Sequence, residues 1–190
     1  MKTWLAATAV LLVATAASAG PTAYAIDPTH TFPSFEADHM GISVWRGKFN
    51  KSSGKVLYDK SEGSGTVELV TELSSVDFGL DAVAAWARSK DFFDVKRNPR
   101  AVFKGSLQSP VNGVPTRLVG DLTLHGVTRP LTLVVHSLKC VPHPMLKRDY
   151  CGADASGSFN RDDFGLGAGK DYGFKMSVDL RIQVEAIAQP

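Results

Sequence analysis

The last stretch of the chain constrains the fold most. Met176, Val178, Leu180, Ile182, Val184 and Ala186 are apolar, and Ser177, Asp179, Arg181, Gln183 and Glu185 between them are polar. Such strict alternation marks a β-strand with one dry and one wet face. The pattern recurs. Val67, Leu69, Thr71 and Leu73 alternate with Glu68, Val70 and Glu72, and Leu118, Gly120, Leu122 and Leu124 alternate with Val119, Asp121, Thr123 and His125. Leu131, Leu133 and Val135 follow a turn read over 126–130, so these two segments read as a hairpin. Further strands are expected near 23–27, 32–40, 42–59, 100–108 and 151–161, with Gly/Ser/Lys/Asp/Asn clusters at 50–54, 59–65 and 110–113 separating several of them. One segment interrupts the pattern. Leu80 to Arg88 is Ala-rich without Gly or Pro, and it predicts a short helix near 80–89. Leu80, Val83, Ala84 and Ala87 would share its buried face, and Asp77 or Asp81 would cap or charge its start. Long alternating strands with one short helix predict an all-β chain, a closed antiparallel barrel of about eight strands, with a β-sandwich as the alternative. The interior of an eight-stranded barrel can hold one small ligand.

The N-terminus is a separate object. Lys2 precedes an uncharged apolar run from Trp4 to Ala17, and Ala17-Ser18-Ala19 supplies the small residues of a cleavage site. This reads as a signal peptide over 1–19, leaving one domain over 20–190 in the periplasm. The run is shorter than the roughly 20 residues of a membrane span, so the chain is expected not to be membrane-embedded. Within the whole 190 residues, 21 basic and 19 acidic side chains nearly cancel, which argues against a nucleic-acid partner. The only cysteines are Cys140 and Cys151. Export favours a disulfide between them, stapling a loop and stabilising by about 2–3 kcal/mol. A zinc site from His136, Cys140, His143 and Cys151 is the sharper alternative, but its spacing matches no standard finger; no metal is expected.

Catalytic motifs are not evident. Gly-x-Ser-x-Gly, His-Glu-x-x-His and Cys-x-x-Cys do not occur, and the glycine-rich run from Gly165 to Lys170 fails the phosphate-loop spacing, because Asp171 stands where Ser or Thr should follow the lysine. That run reads as a turn before the last strand. Of the five histidines, His30 and His39 flank one strand and His125 ends another. They support a secondary reading as a secreted enzyme with a His-based or metal site, which would require them to converge. The aromatic residues are more suggestive: Phe32, Phe35, Trp45, Phe49, Tyr58, Phe78, Trp86, Phe92, Phe93 and Phe103 crowd the first half of the chain after residue 19. They read either as ordinary core or as the wall of an apolar cavity, with Phe92-Phe93 at its rim.

Several segments in order resemble the YceI family of exported lipid-binding proteins. They are Tyr24-Ala25-Ile26-Asp27-Pro28-Thr29-His30-Thr31, the stretch from Phe35 through His39-Met40-Gly41 to Ser43, and Arg46-Gly47-Lys48-Phe49. Asp91-Phe92-Phe93-Asp94-Val95, Pro99-x-Ala101-x-Phe103, the hairpin from Gly120 to Pro130, Cys151 to Ala155, and Arg161-x-Asp163-Phe164-Gly165 complete the series. Asn98-Pro99 stands where the family usually has Tyr-Pro, and Ala85-Trp86 lies in a helix that is often more polar. The resemblance covers nearly all of 23–186. It implies an extended, lipocalin-like barrel holding a polyisoprenoid or similar long-chain amphiphile, such as an isoprenoid quinone, with no catalytic residue and no cofactor. Burial of so apolar a chain, at roughly 25 cal/mol per Å², would drive uptake. By the same resemblance Phe32, Phe35, Phe49, Phe78, Trp86, Phe92 and Phe93 would form the pocket wall, and His30, His39, Arg46 and His125 would meet the head group. Pairing into a homodimer through the outer faces is compatible with such a barrel.

Overall fold

Residues 20–190 are described in a computed structural model; the signal peptide read over 1–19 lies outside them. The strands are β1 (Thr22–Ile26), β2 (Phe32–His39), β3 (Ser43–Phe49), β4 (Ser52–Asp59), β5 (Ser64–Glu72), β6 (Val76–Asp77), β7 (Arg100–Val111), β8 (Val114–Leu124), β9 (Val127–Pro142), β10 (Asp149–Asn160) and β11 (Ser177–Ala188), with one helix, α1 (Asp81–Arg88). Every pairing is antiparallel.

Two of the eight staves of this sheet are interrupted. β1 pairs with the end of β11 (Tyr24 opposite Ala188) and β2 pairs further back along the same strand (Phe35 opposite Leu180). β1 and β2 are thus one stave broken at 27–31. Their partners β4 and β3 form the next stave. The strand segment expected over 42–59 divides at Asn50-Lys51, inside the 50–54 cluster. There the backbone turns aside to bond the 3-10 turn Leu73–Ser75, with the Asn50 amide donating to the Ser75 carbonyl at 3.1 Å and the Lys51 amide to Ser75 Oγ at 3.0 Å. Neighbouring strands follow one another round the sheet, and the β1–β11 pairing closes it. That closure decides for the barrel over the sandwich, since a closed sheet leaves no edge along the seam.

The dry faces point inward as alternation requires. Val178, Leu180, Ile182, Val184 and Ala186 of β11 face the interior, as do Val67, Leu69 and Thr71 of β5 and Leu118, Leu122 and Leu124 of β8. The β8–β9 turn is tighter than the pattern suggested. Only His125 and Gly126 form it, both with positive φ (51° and 76°), and Val127 is already in the strand. Two consecutive left-handed residues match the type I′ turn that suits twisted strands. In β9 the alternation slips once. Val135 faces Ala155 and Ser137 faces Asp154, so His136 is the extra residue of a bulge, held outside by Ser156 Oγ at 2.6 Å.

The helix forms where expected, but its buried side is narrower. Ala84 and Ala87 are buried, while Leu80 occupies the cap position and is exposed. Asp81 lies in the first turn, where its charge favours the helix dipole. Asp77 does not cap; its carboxylate accepts from the Gly79 amide at 2.7 Å and shapes the turn into the helix.

The meander gives the barrel two unlike poles. Residues 22 and 188 and the β4–β5, β7–β8 and β9–β10 hairpins lie at one, the chain-end pole. The β2–β3 turn, α1, the β8–β9 turn and the irregular stretch 161–176 lie at the other, the helix pole. The buried residues divide accordingly, one cluster along the barrel from Tyr24 and Tyr58 to Phe103 and Leu133, the other around Leu73, Ala87, Phe93, Phe164 and Leu166.

Candidate functional site: an apolar barrel cavity

The inward positions do not close on one another. They surround a cavity of about 620 Å³ running along the barrel, lined from Tyr24, Tyr58 and Cys151 at the chain-end pole to Trp86, Phe92 and Leu166 at the helix pole. Its volume lies within the range of small-molecule sites. Aliphatic side chains from β4, β5, β8, β9 and β11 make its length, and aromatic rings make its helix end.

Those rings form a continuous chain. Trp45 packs edge-on to Phe78 at 6.2 Å between centroids, Phe78 to Phe35 at 5.3 Å, and Phe35 tilts onto Phe49 at 5.6 Å. Phe49 then meets Phe93 at 6.0 Å, Phe93 meets Phe92 at 4.7 Å, and Phe92 stacks on Trp86 at 4.9 Å. Such pairs hold ring orientation beyond simple burial. Gly47, directly opposite Phe35 on β3, makes this possible: a Cβ there would lie 2.4 Å from the Phe35 ring. The missing side chain gives the ring its place on the wall.

Six of the seven aromatic residues expected in the wall line the cavity: Phe35, Phe49, Phe78, Trp86, Phe92 and Phe93. Phe32 does not. It is three residues from Phe35, so period two sends it to the outer face, where Lys48 Nζ lies 5.0 Å above its ring. The polar expectations fare worse. Of the four, only His39 borders the cavity, its ring stacked on Trp45 at 4.3 Å and edge-on to Phe174 at 5.1 Å, both lining residues.

His30, Arg46 and His125 are elsewhere. His30 sits on the outer wall at the break between β1 and β2, with Nδ1 2.9 Å from Asp27 Oδ2, and the hydrogen bond to Asp27 raises its pKa. Arg46, one step from Trp45, points outward to Glu36 at 2.8 Å. His125 in its tight turn donates from Nδ1 to the Phe164 carbonyl at 3.1 Å, tying the hairpin to the stretch beyond β10. The convergence an enzyme reading requires of His30, His39 and His125 is not found, since each stands on a different partner.

Trp45, one of the aromatic residues read as core or cavity wall, shares the parity of Phe49 on β3 and lines the bore. Sequence reasoning missed other lining groups. Leu166 and Ala168 come from the run read as a mere turn and Phe174 lies just beyond it; no period marks them. Arg161 is the least expected. It is only 8% exposed yet lines the cavity, donating from Nη2 to the Ala168 carbonyl at 2.7 Å and from Nη1 to that of Leu166. Its Cζ lies 5.8 Å from the Phe92 ring. Burial lowers its pKa, but a guanidinium stays charged in proteins.

The chain-end pole is polar around its rim. Tyr24, 2% exposed, donates its hydroxyl to Asp149 at 2.7 Å, and Lys60 pairs with the same carboxylate. Burial and the Asp149 acceptor together push the Tyr24 pKa up. Outside the seam, Tyr150 donates to Glu185 and, at 3.0 Å, to Asp27. Burial pulls Asp27 upward, but hydrogen bonds from Thr29, His30 and Tyr150 outweigh it, and the carboxyl rests well below its ordinary range. Cys140 and Cys151 form the disulfide, S–S 1.97 Å. They are opposite residues of β9 and β10, so the bond links neighbouring strands and closes the loop between them. With their sulfurs joined, the close grouping of Cys140, Cys151 and Asp149 offers no thiolate to a metal.

A closed antiparallel barrel with an apolar bore and a helix across one end defines a lipocalin-like binding barrel. The family model described as the YceI-like domain matches residues 24–186, and the chain belongs to that family. It is 32% identical over 180 residues to a UPF0312 protein of Pseudomonas aeruginosa, covering 92% of each chain. It is 32% identical to a UPF0312 protein of Pectobacterium carotovorum, covering 99% of this chain and 98% of the other. Among solved structures it resembles BcnA of Burkholderia cenocepacia, with TM-score 0.69 at 21% identity over 84% of this chain and 98% of that one. It also resembles a polyisoprenoid binding domain from Saccharophagus degradans, with TM-score 0.63 at 19% identity over 88% and 99%. At those identities the likeness is one of fold.

Proposed function

We propose that this protein is a carrier or store for a long-chain lipid of the polyisoprenoid type, a quinone included, held along the barrel bore. The observation that carries the reading is the cavity itself, about 620 Å³ with few polar groups on its wall. A lipid tail gains by leaving water for such a lining at roughly 25 cal/mol per Å² of apolar surface. The ligand named for the Saccharophagus degradans domain supports the same class. The chemistry is binding rather than catalysis.

We place the protein outside the cytoplasm, in the periplasm, with residues 1–19 removed as a leader and 20–190 as one domain. The Cys140–Cys151 disulfide fits that oxidising compartment. The test is native mass spectrometry of the protein expressed with its leader and purified without detergent. The expected result is a species carrying the mass of one long-chain lipid, exchangeable for added polyprenol. A protein that neither retains nor takes up any such lipid would overturn the reading.

A further inference from the structure

Among the described residues one cation lines the cavity, and its setting goes beyond what a store for hydrocarbon needs. Arg161 opens the 3-10 turn Arg161–Phe164, just after β10. Its amide donates to the Met176 carbonyl at 2.8 Å, and its own carbonyl accepts from the Leu166 amide at 3.0 Å. The loop therefore curls round the side chain and delivers the guanidinium to the wall of the bore.

Its described hydrogen bonds go to two backbone carbonyls, those of Leu166 and Ala168. A guanidinium carries five N–H donors, so these bonds use a minority. Among the described residues, no carboxylate forms an ion pair with it. Asp162, next in sequence, acts on it through space, but its carboxylate is committed to Lys170 at 2.7 Å. The one acidic residue on the lining, Asp38, is likewise engaged, by the Gly41 amide at 3.0 Å, the Lys175 amide at 3.4 Å and Lys175 Nζ at 3.9 Å.

A buried cation is costly unless charge or hydrogen bonds compensate it. Carbonyl dipoles compensate in part. An oxyanion would compensate more, and the planar fork of arginine suits carboxylate and phosphate. We propose that Arg161 anchors the oxyanion head group, carboxylate or phosphate, of the amphiphile whose tail fills the bore. This rests on the lipid-binding reading and specifies the ligand within it. The ring of Phe92 beside the guanidinium and Trp86 stacked on Phe92 put the anchor at the helix pole, so the tail runs toward Tyr24 and Tyr58.

The test compares ligands differing only in the head: hexadecanoic acid against hexadecan-1-ol, and geranylgeranyl monophosphate against geranylgeraniol, each displacing an apolar fluorescent dye from the delipidated protein. The acid or the phosphate is expected to bind about tenfold or more tighter than its alcohol. Which of the two gains more identifies the head group. Arg161→Met is expected to abolish the preference, and Arg161→Lys to restore part of it.

Equal binding of acid and alcohol to the unaltered protein would overturn the proposal and leave the guanidinium as a pin for the loop. So would a preference that survives in a folded Arg161→Met. The unaltered protein decides even where that variant does not fold. If no member of either pair binds, the lipid-binding reading itself fails; if the alcohols bind as well as the anions, only the anchor fails.

Discussion

At the chain-end pole the bore meets side chains locked to one another, whereas at the helix pole it meets rings held by packing alone. Tyr24, Asp149 and Lys60 form one bonded set at the first, the disulfide bridges β9 to β10 beside them, and Tyr150 ties Asp27 to Glu185 on the outer wall. At the second, Trp86 is 43% exposed and rests on Phe92, and the wall is completed by stretches outside the sheet. Side-chain bonds and a covalent link fix one end of the tube; at the other, Arg161 and His125 bond to loop carbonyls and the aromatic rings rest on one another.

The sharpest way to break this contrast is to remove the covalent link. Replacing Cys140 and Cys151 together by Ala is expected to cost about 2–3 kcal/mol, read from urea unfolding, with lipid uptake retained. A loss of uptake equal to the loss of stability would mean that the poles are not separable. Next in size, Tyr24→Phe removes the buried hydroxyl from Asp149. The expected cost is about 1–2 kcal/mol by the same measurement, again with uptake retained.

At the opposite pole Trp86→Ala should reverse the balance. The stability change is expected to stay below about 1 kcal/mol, the scale of one aromatic pair, while lipid dissociation in a stopped-flow displacement assay accelerates several-fold. Unchanged dissociation would show that Trp86 does not limit the release of lipid. Gly47→Ala, which pushes on the Phe35 ring, should shorten the longest lipid accepted, as read by native mass spectrometry across a chain-length series, and lower the unfolding midpoint through overpacking.

The smallest effect is on pH. His30 has a raised pKa through Asp27, so its contribution to stability is complete below the ordinary histidine value of about 6.5. It is lost as pH rises through the raised value. Asp27 has a lowered pKa. Its contribution is present above the ordinary value of about 3.9 and is lost as pH falls through the lowered one. Thermal unfolding midpoints should therefore decline gently on both sides of an interval between these limits. His30→Gln should flatten the alkaline slope and leave the acid slope largely in place. An unchanged alkaline slope would detach His30 from the seam.

How far the sequence could be read follows from the same contrast. β11, β5 and β8 obey period two along their length, because one face meets apolar bore and the other meets water, so alternation announced them. The wall residues on strands inherited that legibility, and Phe32 would have been excluded by counting from Phe35. Arg161, Leu166, Ala168 and Phe174 lie where the backbone is irregular, and no period says which way their side chains point. The polar groups were misplaced for a related reason: Arg46 and His30 sit beside inward residues in sequence, but an odd step or a strand break moves them to the outer wall. The cysteines were paired correctly, yet their place opposite one another across two strands depended on where β9 ends.

The seam has a consequence for how the chain folds. Tyr24 to Ile26 meet Ala186 to Ala188, so the last ladder joins residues separated by nearly the whole described chain. Local hairpins can assemble in order along the meander, but this ladder must bear the largest loop-closure cost and gives the fold a high contact order and slow completion. Until it forms, β11 and the β1–β4 pair present open edges, and an open edge accepts any unpaired strand. A chain lacking its last few residues would therefore be a ready substrate for strand exchange between copies.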